Sequence, residues 1–178
     1  MAPDDPRNAV AKRALAIASA IAAADPGERA AARRMSEGGC PLFWRQAARL
    51  GIAPHEEARW LRFTRMIALL TPSTATVSIH ADKRPLGAVL TDGGDVGAKF
   101  DKPFVSEKRL ARLLAARGMS RLDTLERTIR MVARTKPRLD VIDLAWVVLR
   151  EDGGSLAREY YRRLDRQTDT DKKESENA

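Results

Sequence analysis

The chain has 178 residues, of which 44% are hydrophobic, and it carries a formal net charge of +8. A chain of this length suits one domain or two small bundles that share a core, and its apolar content argues against wholesale disorder. Its single cysteine, Cys40, excludes an internal disulfide and a CxxC metal site, and it favours a reducing, cytoplasmic compartment.

The first predicted helix begins at Pro6, directly after Asp5, and runs to about Ala24. It contains the apolar run ALAIASAIAAA behind Lys12 and Arg13, a pattern that resembles a secretory signal. The acids in the segment that a signal would need to be basic, and the weak hydrophobicity of alanine, argue against a signal peptide. No stretch approaches the ~20 apolar residues of a membrane span, so we expect no membrane partner.

Three more helices are predicted in the N-terminal half. Asp25 and Glu28 have the spacing of a capping box and open the second helix, and Pro41 opens the third. A fourth is predicted from Pro54 to Leu70, because its apolar residues recur at the spacing of a buried helix face: Trp60, Phe63, Ile67 and Leu70.

The helical periodicity is lost from Thr71 to Pro103, a stretch that includes a brief apolar LGAVL at 86–90. An irregular stretch of this length is either functional or mobile, and here it separates a predicted N-terminal bundle, residues 1–85, from a predicted C-terminal bundle, residues 86–166. Its acids, among them Asp92 and Asp95, suit turns better than a metal site, because the spacing of an EF-hand is absent.

Positive charge is concentrated between Val105 and Arg138, where ten lysines and arginines stand against three acids. This stretch predicts two amphipathic helices. In the first, Ser106 is the expected N-cap, and the leucines oppose the basic residues. In the second, the apolar face carries Leu122, Leu125, Ile129 and Val132. Roughly 150° away from it lie Arg127, Arg130 and Arg134.

These cations could be neutralised within the protein, because Asp123 and Glu126 have the i+4 spacing to pair with Arg127 and Arg130. Six other cations nevertheless outnumber the acids within reach: Lys108, Arg109, Arg112, Arg117, Arg121 and Arg134. Uncompensated cations on a folded surface indicate a polyanionic partner, and nucleic acid is the commonest one.

Two further helices are predicted near the C-terminus, from Asp140 to Glu151 and from Ser155 to Arg166. Residues 167–178 have no apolar residue except the last and are predicted to be a disordered tail. No segment has the alternating pattern of a strand. The predicted fold is therefore all-α, with about eight or nine helices in two packed bundles.

The sequence offers little that an active site requires. Its two histidines, His55 and His80, form no metal-binding or catalytic motif, and GGDVGAK lacks the GK[ST] ending of a P-loop. We therefore predict no enzymatic activity, no cofactor and no metal. We expect contact with nucleic-acid backbone, with non-specific dissociation constants of roughly 10⁻⁴ to 10⁻⁶ M at physiological salt.

Seven segments carry a resemblance in their order along the chain: ARRMSE at 32–37, PLFWRQ at 41–46, RWLRFTRMIALL at 59–70, LGAVL at 86–90, VSEKRLARLLAARG at 105–118, LERTIRMVAR at 125–134 and REYY at 158–161. With Trp146, this series resembles the CasB family, which supplies the small subunit of Cascade, the type I-E CRISPR surveillance complex. The resemblance covers about residues 7–166.

This resemblance implies a non-enzymatic, all-α protein of two helical bundles, present as two copies in a ribonucleoprotein. The family lines the path of guide RNA and target DNA and helps to hold the displaced strand. The implied partners are therefore the backbones of these nucleic acids, other Cascade subunits and a second copy of the chain. The matching basic positions are Arg33, Arg34, Lys108, Arg109, Arg112, Arg117, Arg127 and Arg130, to which the charge pattern adds Arg134.

One departure from the family is Ala88, where an arginine is usual. We expect Lys99 or Lys102 of the following loop to supply the missing charge. Two other functions stay open from the residues alone. The two basic helices could form the helix-turn-helix of a dimeric, transcriptional or chromosome-associated factor that binds duplex DNA. Alternatively, the basic face could meet an acidic protein surface.

Overall fold

The structure is a computed structural model that describes the backbone of residues 6–176 and the side chains of residues 7–167. Within that range it contains nine α-helices and no strand, which confirms the predicted all-α class. The helices are α1 (Pro6–Ala23), α2 (Pro26–Arg34), α3 (Pro41–Arg49), α4 (Glu57–Leu70), α5 (Leu86–Asp92), α6 (Glu107–Ala115), α7 (Gly118–Val132), α8 (Val141–Leu149) and α9 (Gly154–Glu176).

Local sequence signals determine where several helices begin. The Asp25 side chain accepts a hydrogen bond from the backbone N–H of Glu28 at 2.8 Å, so it caps α2 as predicted. Asp140 caps α8 in the same way by accepting a bond from the N–H of Ile142 at 2.9 Å. Ser106 lies at the predicted N-cap position of α6, but its hydroxyl makes no capping hydrogen bond.

The core is built around α4, which packs against α1, α2, α7 and α8. Its fully buried side chains include Trp60, Phe63, Met66 and Ile67. Since helices from both predicted bundles contact α4, buried side chains from Val10 to Tyr160 form one hydrophobic cluster. The boundary after residue 85 stays a prediction, and the two units that it defines share this core.

The alanine-rich run that resembles a secretory signal forms α1, which lies in the core. The helix packs against α4 and α8, and its buried residues include Ala14, Ile17, Ala18 and Ile21. In the part of the chain that the structure describes, no helix combines the length and the apolar character needed to cross a bilayer.

Helix α5 lies in the segment that we predicted to be irregular. All of its residues, from Leu86 to Asp92, are buried. A helix that is buried on every side needs no polar face, so LGAVL shows no helical periodicity in the sequence. The expectation of an irregular stretch from Thr71 to Pro103 is therefore wrong for residues 86–92.

Helix α9 continues to Glu176, although we predicted disorder from residue 167. Its N-terminal part is anchored, because Leu156 and Tyr160 are buried and Tyr160 donates a hydrogen bond to the carbonyl of Val105 at 2.6 Å. Once a helix is nucleated, each added residue costs little, so a polar sequence can continue it. Residues 177 and 178 of the predicted tail lie outside the described residues.

Helices α5 and α9 approach closely because position 87 is glycine. A Cβ atom on Gly87 would lie 2.4 Å from the carbonyl oxygen of Leu156 and 2.6 Å from the backbone nitrogen of Tyr160. Thr91 strengthens the same contact, since its hydroxyl lies 3.1 Å from the carbonyl oxygen of Tyr160. The obstacles are backbone atoms of α9, so a side chain at position 87 would force the two helices apart.

We expect Gly87→Ala to lower the free energy of unfolding by about 2 kcal/mol, because the added methyl group overpacks the contact between α5 and α9. Gly97→Ala is the matched control. Gly97 is exposed, and a Cβ atom there would come no closer than 3.7 Å to the nearest atom beyond its chain neighbours. Urea unfolding of both variants measures the effect, and equal loss of stability would contradict the role of the close approach.

Candidate nucleic-acid interface

Helices α6 and α7 pack against each other and leave a groove of about 340 Å³. Leu110 and Leu113 are buried on α6, and Leu125 and Ile129 are buried on α7. Because these apolar faces turn toward the core, the opposite faces present the charged residues to solvent. The α6–α7 groove is lined by Arg109, Arg112, Thr124, Arg127, Thr128 and Met131.

Two arginines of the groove have no partner within the described side chains. Arg112 on α6 and Arg127 on α7 are exposed, and neither makes a hydrogen bond or an ion pair there. Arg109 places its Nη1 at 3.1 Å from the Sδ of Met131. A thioether is a weak acceptor and carries no charge. The groove therefore holds three guanidinium groups, and none of its lining residues is an acid.

The acids of α7 point toward α4 instead of the groove. Asp123, a possible partner of Arg127, lies 2.8 Å from Arg62 instead. Glu126 is only 4% exposed. Its carboxylate accepts hydrogen bonds from three arginines, Arg62, Arg65 and Arg130. The expected pair of Glu126 with Arg130 is thus present, while Arg127 lies outside this cluster.

Sequence reasoning missed the part that α4 plays in this cluster. Arg59, Arg62 and Arg65 recur every three residues on α4, and that spacing was the available signal. Arg65 also donates to the carbonyl of Met35 at 2.8 Å. It therefore connects the end of α2 with α4 and α7.

The pKa of the Glu126 carboxyl is lowered from its ordinary value. Burial alone would raise this pKa, but hydrogen bonds from Arg65 and Arg130, together with the positive charge of Arg65, favour the ionised form more strongly. A carboxyl whose pKa is lower in the folded chain than in the unfolded chain stabilises the fold above its unfolded pKa. That stabilisation is lost as the pH falls through the folded pKa.

We expect Glu126→Gln to lower the free energy of unfolding at neutral pH by about 3 kcal/mol, because Arg62 and Arg65 lose their buried anionic partner. The difference from the unsubstituted protein should shrink as the pH falls from the ordinary pKa of a glutamate through the lower pKa of the folded chain, because the carboxyl of the unsubstituted protein is then protonated as well. Denaturant unfolding across this range of pH measures both effects.

Glu37→Gln is the control for this substitution, since Glu37 is an exposed acid without a partner among the described residues. Its stability should follow that of the unsubstituted protein at every pH. The free energy of unfolding of Glu126→Gln could instead differ from that of the unsubstituted protein by the same amount down to acid pH. That result would show that the ionised carboxylate is not what stabilises the cluster.

Five further predicted site residues lie on exposed surfaces, namely Lys108, Arg130, Arg134, Arg34 and Arg117. Lys108, Arg134 and Arg34 make no ion pair or hydrogen bond within the described part of the chain. Arg130 is exposed over 52% of its side chain but pairs with Glu126. Arg34 belongs to α2, which packs against α3 and α4, so it extends neither wall of the groove.

Arg117 and Arg33 donate hydrogen bonds to carbonyl groups at helix ends. The Nη1 of Arg117 lies 2.6 Å from the carbonyl oxygen of Leu114 in the last turn of α6. Arg33 is half-buried and donates to the carbonyls of Ala68 and Thr71 at the end of α4, at 2.8 and 2.6 Å. Burial, with a smaller effect of a neighbouring arginine, lowers the pKa of Arg33. The guanidinium of Arg33 therefore satisfies orphan carbonyls at the end of α4 and is directed into the protein.

Arg121 is buried, although we expected it on the cationic surface. It is 2% exposed, and its Nη1 donates to the carbonyl of Val147 at 2.7 Å. Burial is the main reason why the pKa of its guanidinium is lowered. Arg121 precedes Leu125 by one turn and therefore shares the buried side of α7. The expectation was wrong because it counted charges without assigning each to a face.

The loop that follows α5 is held in place by a buried acid. Asp92 accepts a hydrogen bond from the N–H of Gly94 at 2.9 Å, as expected for a turn, but it also forms ion pairs with Arg84 and Arg163. Ala88, where the resemblance to the CasB family implies an arginine, is 8% exposed on α5. That Lys99 or Lys102 supplies the missing charge stays a prediction.

The side chain of His80 lies at the N-terminal end of α8 and makes contacts within the protein. Its Nε2 lies 2.9 Å from the carboxylate of Asp82, and its Nδ1 accepts a hydrogen bond from the N–H of Val141 at 3.3 Å. Among the side chains that the structure describes, no group of three or more His, Cys, Asp or Glu residues could hold a metal ion.

In comparisons with known proteins, no family model, curated protein or solved structure matches the chain. The described residues define an all-α protein with a cationic groove on its surface. The resemblance to the CasB family rests on the order of the sequence segments alone.

Proposed function

We propose that this chain is a non-catalytic subunit that holds nucleic-acid backbone in the α6–α7 groove. The observation that supports the proposal most directly is the pair of Arg112 and Arg127, which line one groove from two helices and have no partner among the described side chains. Guanidinium groups that share a groove repel each other unless an anion lies between them. Arginine binds phosphate, like carboxylate, in bidentate geometry.

The groove suits contact that is independent of sequence. The hydroxyls of Thr124 and Thr128 donate to the backbone carbonyls of Ser120 and Thr124, at 2.8 and 2.9 Å, so the guanidinium groups are the donors that remain for a ligand. Neither asparagine nor glutamine, the residues that pair with adenine edges, lines the groove. Phosphate contacts of this kind position a strand without reading it.

We infer further, from the resemblance to the CasB family, that the nucleic acids are the guide RNA and target DNA of a cytoplasmic Cascade complex, including the displaced strand. Base pairing between guide and target would supply sequence specificity, and this subunit would prolong the open state of the target. Its partners would be other Cascade subunits and a second copy of itself. Weak contacts suffice there, because the assembly already holds the nucleic acid at a high local concentration.

The test removes the three arginines that line the groove, with Arg109→Gln, Arg112→Gln and Arg127→Gln combined in one variant. We expect weaker binding of single-stranded DNA and of RNA, to the same extent for unrelated sequences. The slope of log K against log salt concentration should become shallower by about 2, since each lost phosphate contact removes about 0.7 to 0.9. Fluorescence anisotropy at several salt concentrations measures both quantities.

A control with the same change of charge combines Lys12→Gln, Arg49→Gln and Arg158→Gln, three exposed cations without a partner among the described residues. It should keep most of the affinity and of the salt dependence. Equal losses in the two variants would indicate attraction by overall charge and would contradict a defined groove. Loss of affinity for one sequence only would contradict contact with the backbone.

The helix-turn-helix alternative receives less support from the fold. Only residues 116 and 117 lie between α6 and α7. The turn of a helix-turn-helix has about three or four residues, so that α7 can project into the major groove. Titration with duplexes of defined half-site spacing separates the two functions, because a dimeric reader binds one spacing preferentially.

A further inference from the structure

A second concentration of positive charge lies outside the α6–α7 groove, in a pocket of about 430 Å³ between the segment before α5 and the side of α9. We call it the α5–α9 pocket. Its cations are Lys83, Arg84, Arg162, Arg163 and Arg166. Pro85, Ala88, Val96 and Glu159 complete its lining.

Buried Asp92 fixes two of these guanidinium groups. The side chain of Asp92 has no exposed surface, and its two carboxylate oxygens pair with Arg84 and with the Nε of Arg163, the latter at 2.8 Å. The Nη2 of Arg163 also donates to the carbonyl of Val96 at 3.2 Å. Donors that are held in advance bind an anion without losing side-chain freedom on binding.

These contacts leave donors for a ligand. Arg84 uses only its Nη2 on Asp92, so Nε and Nη1 make no hydrogen bond to a described residue. Lys83 is exposed and has no partner there either. Its φ of +58° is a left-handed conformation that costs a non-glycine residue of order 1 kcal/mol. The side chain of Lys83, the residue with this backbone conformation, lines the pocket.

The balance of charges selects the class of anion. Two carboxylates meet four cations, namely Asp92 and Glu159 against Lys83, Arg84, Arg162 and Arg163. Two positive charges therefore remain uncompensated even when Arg166 is left out. A phosphate monoester carries about 1.5 to 2 negative charges at pH 7, whereas each phosphate of a nucleic-acid backbone carries one. The surplus of two positive charges in the pocket therefore matches the charge of a phosphate monoester.

We propose that the α5–α9 pocket binds a phosphate monoester dianion. Arg84 and Arg163, whose side chains are 13% and 14% exposed, form its inner wall, and the more exposed Lys83 and Arg162 form its rim. The terminal phosphate of a nucleic-acid strand and a phosphorylated small molecule share this chemistry. The inference does not rest on the proposed function, because no residue of the α6–α7 groove lines this pocket.

Calorimetric titration with three probes tests the proposal: a thymidine tetranucleotide with a 5′-phosphate, the same oligonucleotide with a 5′-hydroxyl, and inorganic phosphate. The two oligonucleotides have the same phosphodiesters, so the difference between them isolates the monoester. We expect the 5′-phosphate to tighten binding by about tenfold or more, as charge-assisted hydrogen bonds to a dianion require.

The combination of Lys83→Gln and Arg162→Gln should abolish the gain from the monoester and the binding of inorganic phosphate. Both residues lie outside the ion pairs of Asp92, and Lys83→Gln alone serves as a milder variant that should reduce the gain. The combination of Lys12→Gln and Arg49→Gln removes the same charge elsewhere and should preserve the tighter binding that the 5′-phosphate produces. The triple variant of the α6–α7 groove should weaken both oligonucleotides and leave their ratio unchanged.

Inorganic phosphate that binds as tightly as the 5′-phosphorylated oligonucleotide would identify a small phosphorylated molecule as the source. Much weaker binding of inorganic phosphate would identify a strand end. The proposal is overturned if the two oligonucleotides bind alike and inorganic phosphate does not bind. It is also overturned if the gain from the monoester survives in the variant that lacks Lys83 and Arg162.

Discussion

The carboxylate of Glu126 forms a cluster with arginines between α4 and α7, on the side of α7 that faces away from the α6–α7 groove. It lies between α4 and α7, where it accepts hydrogen bonds from Arg62, Arg65 and Arg130. Asp123 joins the same contact by pairing with Arg62. Asp123, the acid of α7 with the i+4 spacing to neutralise Arg127, is therefore bound to an arginine of α4. The cationic character of the α6–α7 groove is a consequence of this contact between α4 and α7.

Such a cluster matters more for orientation than for net stability. Removing carboxylate and guanidinium groups from water costs about as much as their attraction returns, although breaking the finished cluster is costly. Its geometry, however, fixes the rotation of α7 about its own axis relative to α4. Arg65 extends the constraint to the end of α2 through the carbonyl of Met35. The face of α7 that borders the groove is thereby determined by contacts on the opposite side of the helix.

The sequence predicted the helices that expose one face to solvent. Hydrophobic periodicity records the boundary between the buried face and the exposed face of such a helix. The sequence missed α5, since a helix buried on all sides has no such boundary. It also grouped Arg33, Arg121 and Arg127 together as surface cations. The structure separates them, because Arg33 and Arg121 reach carbonyl oxygens of other helices, and such distances are set by tertiary packing. Periodicity assigns a residue to a face but does not say which partner that face meets.

The two cationic regions differ in how their arginines are held, and that difference bears on what each can bind. Arg112 and Arg127 have no internal partner among the described residues, so each gives up as much as about 2 kcal/mol of side-chain entropy when it grips a phosphate. Contacts of this kind are individually weak and can adapt to a strand of any sequence. Arg84 and Arg163 are already held by Asp92, so a ligand there meets a fixed arrangement of donors. A flexible groove suits a chain of phosphates along its length, whereas a fixed pocket suits one compact dianion.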